Sequence, residues 1–338
     1  MSITMAQLSK ELHGPVRSKF PRRKVFVDGI DDTWGMDLVD MSEWKSSNDG
    51  YAWMLNIVDV FSRFAWSIPL ENKTAAIVLS GFKSVIEQSG RKPAKIWVDE
   101  GTEFYNKLMT AFITKEKIIR YSTYGEHKSV FVERFNRTLK SRMWRKFTED
   151  NTRRWVDMLP KLMNDYNTSK HRSLSRPYTT TDGVFRSIKE MTPTQASTKK
   201  NERILLQQQK PDVIEQAISP KKPPKFKLGD WVRISREKNV FEKGFLINWT
   251  REIFQVVSIL HSNPRVYGLN DISGERIKGS FYEQNLQKTL ESPSGEFLVE
   301  SVLKRRTYKG QKQILVKWLG YNAKFNRWIN ESDVTRVY

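Results

Sequence analysis

From Thr33 onward the chain alternates apolar with small or polar positions. TWGMDLVDM sets Trp34, Met36 and Leu38 against Gly35, Asp37 and Val39, the period-two signature of a strand. Two more runs rich in aromatic and β-branched residues follow, YAWMLNIVDVF and FAWSIPL, with Ser62–Arg63 between them as a turn. They predict an antiparallel three-strand meander. The period then lengthens. Ile77, Val78, Phe82, Val85 and Ile86 predict an amphipathic helix over 74–88, closed by Gly90. AKIWVDEGTEF predicts a short buried strand at 96–98 that runs into Asp99 and a glycine turn. Asn106 to Lys117 reads as a helix with Leu108, Met109, Phe112 and Ile113 inward, and IIRYS as a fifth strand. A long helix over 125–146 puts Val132, Phe135, Leu139 and Met143 on one core face. The order β-β-β-α-β-α-β-α is that of a mixed α/β domain built on a central sheet.

Further along, Trp155, Met158, Leu159, Leu162, Met163 and Tyr166 form an apolar helical stripe, with Pro160 expected to bend it. A polar stretch with QQQ at 207–209 and SPKKPPKFK at 219–227 reads as a basic linker, helical in its middle. Alternation returns in KLGDWVRI, FEKGFLINWTREIFQVVSI, VYGLND and IKGSFYEQNL, short strands with glycine turns that predict a small five-strand barrel. The expected organisation is a basic N-terminal arm (1–29, with PRRK at 21–24), an α/β domain (30–190), a basic linker (191–225), a β-barrel (226–290) and a last module (294–338).

Charge narrows the function. The 338 residues include 58 Lys and Arg against 38 Asp and Glu, a net charge of +20. A surplus of that size suits a polyanion, nucleic acid first and an acidic membrane surface second. There is no cysteine, which excludes a disulfide framework and a cysteine zinc site, and the four histidines are scattered. No apolar run has the length of a membrane span and the first residues lack an apolar signal core, so an intracellular protein with no membrane partner is expected.

Against that basic background three acids stand out. Asp37 lies in the first strand, Asp99 at the end of the fourth, and Glu133 near the start of the long helix, on a stripe with Asn136, Arg137 and Lys140. Sites in open α/β sheets gather beyond the carboxyl ends of strands. Carboxylates suit hard cations such as Mg²⁺ or Mn²⁺. Two such ions roughly 3.5–4 Å apart can activate an attacking oxygen and neutralise a leaving one in phosphoryl displacement. Asp40, Asp59, Glu100, Glu103 and Glu126 compete for the same role on residue type alone.

The motifs WGMDLVDM, WVDEGTEF and KSVFVERFNRTLKSRMW, in that order, resemble the catalytic core of the retroviral-type integrases, members of the ribonuclease-H-like transferases. The likeness runs over 25–185 and is nearest to integrases of Maverick/Polinton transposons, with gypsy-type retrotransposon integrases next. It implies a ribonuclease-H-like fold with a mixed five-strand sheet and a metal triad of Asp37, Asp99 and Glu133 holding two Mg²⁺ or Mn²⁺. It also implies 3′-end processing and strand transfer on DNA by a homo-oligomer in the nucleus. Asn136, Arg137 and Lys140 would meet DNA near the cut, and Tyr124 and His127 would seat the DNA end. Only 33 residues separate Asp99 from Glu133, slightly fewer than in retroviral members; the loop at 123–128 absorbs such a difference at little cost. The zinc domain of retroviral integrases has no counterpart in a chain without cysteine.

The barrel segment resembles the Src-homology-3-like C-terminal domain of gypsy-type integrases. FLVESVLKRRTYKGQKQILVKWLGYNAKFNRWINESDV, at 297–334, resembles a chromodomain. In that family an aromatic cage holds a methyl-ammonium group, because ring faces attract a cation that cannot hydrogen-bond. The matching positions are Phe297, Trp318 and Tyr321, which implies a methylated histone tail as partner. Ile329–Asn330 departs from the Glu-Pro that chromodomains carry after the tryptophan. Two other functions fit the same residues: a nuclease of this fold that cuts without joining, and a domesticated, non-catalytic chromatin reader.

Overall fold

A computed structural model describes residues 4–122, 130–174, 178–179, 185–186, 190–218, 222–236, 245–291 and 297–334. The chain opens with a short helix, α1 (Met5–Leu12), and divides into two compact units, 24–215 and 1–23 with 216–338.

The unit 24–215 is built on a five-stranded sheet: β1 (Thr33–Asp40), β2 (Trp53–Asp59), β3 (Ala65–Leu70), β4 (Lys95–Trp97) and β5 (Ile119–Tyr121). Strand order is β3-β2-β1-β4-β5, with β1, β2 and β3 antiparallel and β4 and β5 parallel to β1. This is the mixed sheet the resemblance implies. Alternation on β1 serves two cores. Trp34 and Met36 pack with α2 (Ala75–Ser89) and α3 (Lys107–Lys115) through Val78, Phe82, Val85, Met109 and Ile113. Val39, on the other face, packs with α4 (Val130–Glu149) and α5 (Leu159–Asn167) through Val132, Phe135, Leu139, Met143 and Leu162. Gly81 lets α2 approach the sheet, since a Cβ there would sit 3.0 Å from the Leu70 side chain.

Three expectations change on this unit. Leu108 is 51% exposed, because the inward arc of α3 is narrower than its apolar sequence and takes only Met109 and Ile113 fully inside. Pro160 sits in the first turn of α5, where its missing N–H costs nothing, so it starts the helix rather than bending it. After a two-stranded pair, β6 (Tyr178–Thr179) and β7 (Phe185–Arg186), the stretch read as a linker with a helical middle does form helices, α6 (Pro193–Ala196) and α7 (Lys199–Ala217), but it is not a free linker. Met191, Ala196 and Leu205 are buried with Val27, Trp97 and Leu174, which makes this stretch, and the end of the supposed arm, part of the unit.

In the other unit β8 (Trp231–Ile234), β9 (Phe254–Leu260), β10 (Val266–Asn270), β11 (Phe281–Tyr282) and β12 (Leu286–Lys288) form one antiparallel sheet in the order β11-β10-β9-β8-β12. Its core is Phe226, Val232, Val256, Tyr267, Leu269 and Leu286. A second sheet follows, β13 (Val299–Tyr308), β14 (Gln311–Trp318) and β15 (Arg327–Asn330), around Val299, Ile314 and Val316. Among the described residues no helix is long and apolar enough to cross a membrane.

The start of the chain is not simply a basic arm. Thr4 and Gln7 close a capping box on α1, and Leu8 and Leu12 are buried. Arg233 on β8 has no exposed surface. Its Nε donates to Glu11 at 3.0 Å, its Nη1 to the carbonyls of Thr250 and Arg251 at 3.1 and 2.7 Å, and its Nη2 to Glu291. Glu11 also accepts from the Thr289 hydroxyl at 2.7 Å and the Leu290 N–H at 3.0 Å. A buried guanidinium survives only when every donor is met, and α1 supplies one of its two acids. Glu11→Ala is therefore expected to destabilise this unit by about 2 kcal/mol. Chemical denaturation followed by tryptophan fluorescence checks it; an unchanged midpoint would show that α1 is not part of the unit.

Candidate active site

Asp37 sits mid-strand on β1, on the face turned to α4, directly across from Asn56 of β2. Its Oδ1 accepts the Leu38 N–H at 2.9 Å and its Oδ2 the Asn136 side-chain amide at 2.7 Å. Asn136 in turn accepts from the Asn56 amide at 2.7 Å, and Asn56 accepts from the Ser67 hydroxyl of β3 at 2.5 Å. The direction of this chain is forced. An ionised carboxylate only accepts, so Asn136 must present its NH₂ to Asp37 and its oxygen to Asn56. Asn56 is fully buried, and such a group is stable only with both ends satisfied. Asn136 was singled out in the sequence; Asn56 and Ser67 were not. The signal for Asn56 was an asparagine inside an otherwise apolar strand.

Asp99 lies just past the end of β4, the parallel neighbour of β1, and its Oδ1 accepts the Gly101 N–H at 3.2 Å. Glu133 is exposed in the first turn of α4, one turn before Asn136. Asp37 feels the other two acids. Burial pushes the Asp37 carboxyl up to about 6, against the pull of the Leu38 hydrogen bond, and the charges of Asp99 and Glu133 push it further the same way. Mutual repulsion of this kind is what a divalent cation relieves, and all-oxygen donors suit a hard one. As they stand, no three acids or histidines among the described residues close on one point as a ligand set. The donor chemistry fits a hard cation; the arrangement is a loose one.

Two of the competing acids, Asp40 and Asp59, are engaged elsewhere. Ser42 hydrogen bonds hold Asp40 below the usual carboxylate range. Asp59 is spent on Ser62 and Arg91, at 2.6 and 2.7 Å. Glu126, like Tyr124 and His127, lies outside the described residues. Arg137 and Lys140 are exposed on α4 beyond Glu133.

The second candidate site is on the C-terminal sheet. The Phe297 ring lies 6.0 Å from Trp318 and 5.4 Å edge-on from Tyr321. A fourth ring, Phe325, packs edge-on against Tyr321 at 5.8 Å and was not anticipated. With Ile272, Ser273 and Arg327 they line a cavity of about 280 Å³, and the Arg327 guanidinium lies 5.1 Å over the Trp318 ring.

Comparison with known proteins bears on the family of each unit. Residues 30–123 match the integrase core domain and residues 297–337 the chromo (chromatin organisation modifier) domain. The chain is 30% identical over 215 residues to a transposon-derived protein of Caenorhabditis elegans, covering 63% of this chain and 65% of that one. It is 28% identical over 127 residues to the Gag-Pol polyprotein of feline leukemia virus, covering 37% of this chain and 7% of the polyprotein. The chain thus spans less than two thirds of the length of these relatives. A structure of the simian T-cell lymphotropic virus intasome in complex with PP2A regulatory subunit B56 gamma superposes with a TM-score of 0.54 at 14% identity, covering 84% of this chain and 87% of that one. That likeness is one of fold.

Burial at Asp37 has a measurable consequence. Its carboxyl is pushed up to about 6 from the ordinary aspartate value of about 4, so the folded state binds the proton more tightly and stability falls as pH rises between those values. Without divalent cations, Asp37→Asn should melt higher than wild type near neutral pH, by about 2 kcal/mol or less, and the advantage should vanish below about pH 4. Thermal melts across that range check it, and an advantage independent of pH would refute the cause.

Proposed function

We propose that this chain, which carries an integrase core domain and a chromodomain, is a polynucleotidyl transferase that trims the 3′ ends of an element's DNA and joins them to target DNA. The observation that supports the reading is that the Asp37 carboxyl, bonded to Asn136 of α4, feels the charges of both Asp99 and Glu133. These three carboxylates would hold Mg²⁺ or Mn²⁺, which when bound supplies Lewis-acid activation of the attacking oxygen and charge neutralisation on the leaving one. The protein's own work is positioning. Asn136 and the Leu38 N–H fix the plane of the Asp37 carboxylate and leave each of its oxygens further lone pairs. Arg137 and Lys140 hold phosphates of the bound strand, and Tyr124 and His127 help seat its end.

In the first step water attacks a phosphorus near the element end, one P–O bond forms, another breaks, and a 3′-hydroxyl is left. In the second that 3′-oxygen attacks a target phosphodiester and the target's 3′-oxygen leaves. Neither step needs a covalent bond to protein. Among integrases, the motifs around Asp37 and Glu133 favour the Maverick/Polinton class. The cage of Phe297, Trp318 and Tyr321 would read a methylated lysine on a histone tail and bias insertion towards marked chromatin, which puts the protein in the nucleus. Two DNA ends joined at once call for a homo-oligomer.

Strand joining tests the reading. With Mg²⁺ or Mn²⁺, a labelled duplex copying an element end and a supercoiled plasmid, wild type should give joined product, and Asp99→Asn should lose about 10³-fold or more. Cutting without joining would favour the nuclease; neither would abandon the enzyme. Asn56→Val, which removes one link of the hydrogen-bond chain without touching a metal ligand, should weaken Mn²⁺ binding by about 10- to 100-fold. Calorimetric titration reads that loss, and unchanged affinity would reduce Asn56 to a structural residue.

A further inference from the structure

The outer face of the β13–β14–β15 sheet is unlike an ordinary solvated surface. Ile314 and Val316 point into the core, so the register leaves Gln313 and Leu315 facing out, with Arg306 and Lys304 opposite them on β13 and Asn330 and Trp328 opposite on β15. The aromatic cage belongs to the inner face, with Val316, Trp318 and Arg327. On the outer face the Arg306 guanidinium lies 4.1 Å from the Trp328 ring and 4.9 Å from the Tyr308 ring, with its Nε bonded to Gln313 at 3.0 Å. Lys309 Nζ stands 5.6 Å from the same Tyr308 ring. The result is a row of ring, cation, ring across the sheet, continued by more cations.

Two further observations say what this row fits. Tyr308 is 49% exposed and Leu303 46%, so ring and apolar surface are open to a partner. Residues 297–334 carry eight Lys and Arg against three acids. Glu300 is paired with Lys317 and Glu331 with Arg305, and among the described residues Lys304, Arg306, Lys309 and Lys312 have no acid partner. An acidic peptide would satisfy the cations but bring no flat group to the rings. Duplex DNA would satisfy the cations but keep its base faces stacked inside. A single strand offers phosphates and open base faces together.

We propose that the outer face of this sheet binds single-stranded nucleic acid, its phosphates on Lys304, Arg306 and Lys309 and a base on Tyr308. The site is separate from the acidic triad and from the cage, and is independent of whether the chain joins DNA strands.

The test uses the full chain, with anisotropy of a labelled single-stranded oligonucleotide at several salt concentrations. Unlabelled single-stranded DNA, RNA, duplex DNA and polyglutamate serve as competitors. Other basic regions also bind, so the site is read by difference and by ultraviolet cross-linking with peptide mapping. Replacing Lys304, Arg306 and Lys309 by Ala should lower affinity about 10-fold and flatten the salt slope by about 2, as expected for three lost phosphate contacts on a single strand. Tyr308→Ala should cost about 5- to 10-fold with the slope unchanged, because stacking is not ionic. A cross-link should map to 303–313, and either DNA or RNA as the better single strand supports the proposal. No cross-link there, an unchanged slope in the triple variant, duplex outcompeting single strand at this site, or an equal loss for polyglutamate would each overturn it. Melting temperatures equal to wild type exclude misfolding as the cause.

Discussion

The hydrogen bond from Asn136 to Asp37 decides how the unit 24–215 is arranged. A carboxylate half-buried in a central strand is costly unless donors serve it, and here one donor comes from a helix. Setting α4 so that Asn136 reaches Asp37 fixes the helix's rotation. At that rotation Val132, Phe135, Leu139 and Met143 enter the core, Glu133 comes one turn back towards the end of β1, and Arg137 and Lys140 face solvent. Polar chemistry and core packing thus specify one helix setting, the agreement between levels that makes a fold unique. Asn56 and Ser67 extend the same constraint across β2 and β3, so the site is braced by three strands and a helix.

Much of this was legible in order along the chain. The meander and the core face of α4 could be read because their apolar residues recur at the period of the element itself. Strand order, which puts β4 beside β1, brings the segment that ends in Asp99 next to the strand that carries Asp37. Asn56 escaped because its partners lie 11 and 80 residues away, beyond the reach of any local pattern. Leu108 and Pro160 misled for a different reason. Each was judged by residue type, whereas what mattered was the width of the buried arc on α3 and the exact start of α5. The stretch 191–217 looks polar because few of its side chains are used; Met191, Ala196 and Leu205 are the few, and they are enough to dock it.

The C-terminal sheet shows how one thin element serves two chemistries. Side chains alternate across a strand, so a three-stranded sheet can turn a set of rings inward around a cavity and a separate set outward beside cations. Trp318 and Trp328 look equivalent in the sequence, but register sends them to opposite faces. Charge is divided as carefully. Two of the module's three acids, Glu331 and Glu300, are paired with Arg305 and Lys317, while Lys324 reaches Asp271 and Glu275 outside it, which leaves the hairpin's remaining cations without an acid partner among the described residues.

The Glu11–Arg233 contact joins residues 222 apart. At the speed of translation that separation is a delay of roughly 10 to 45 s between the synthesis of the acid and that of its partner. A helix of eight residues is too short to persist alone in water. During that interval α1 has no core to fold onto, while 24–215 already has its own to assemble. The unit whose strands follow cannot bury its arginine until α1 comes to it, so its completion waits on a helix more than two hundred residues away in the chain.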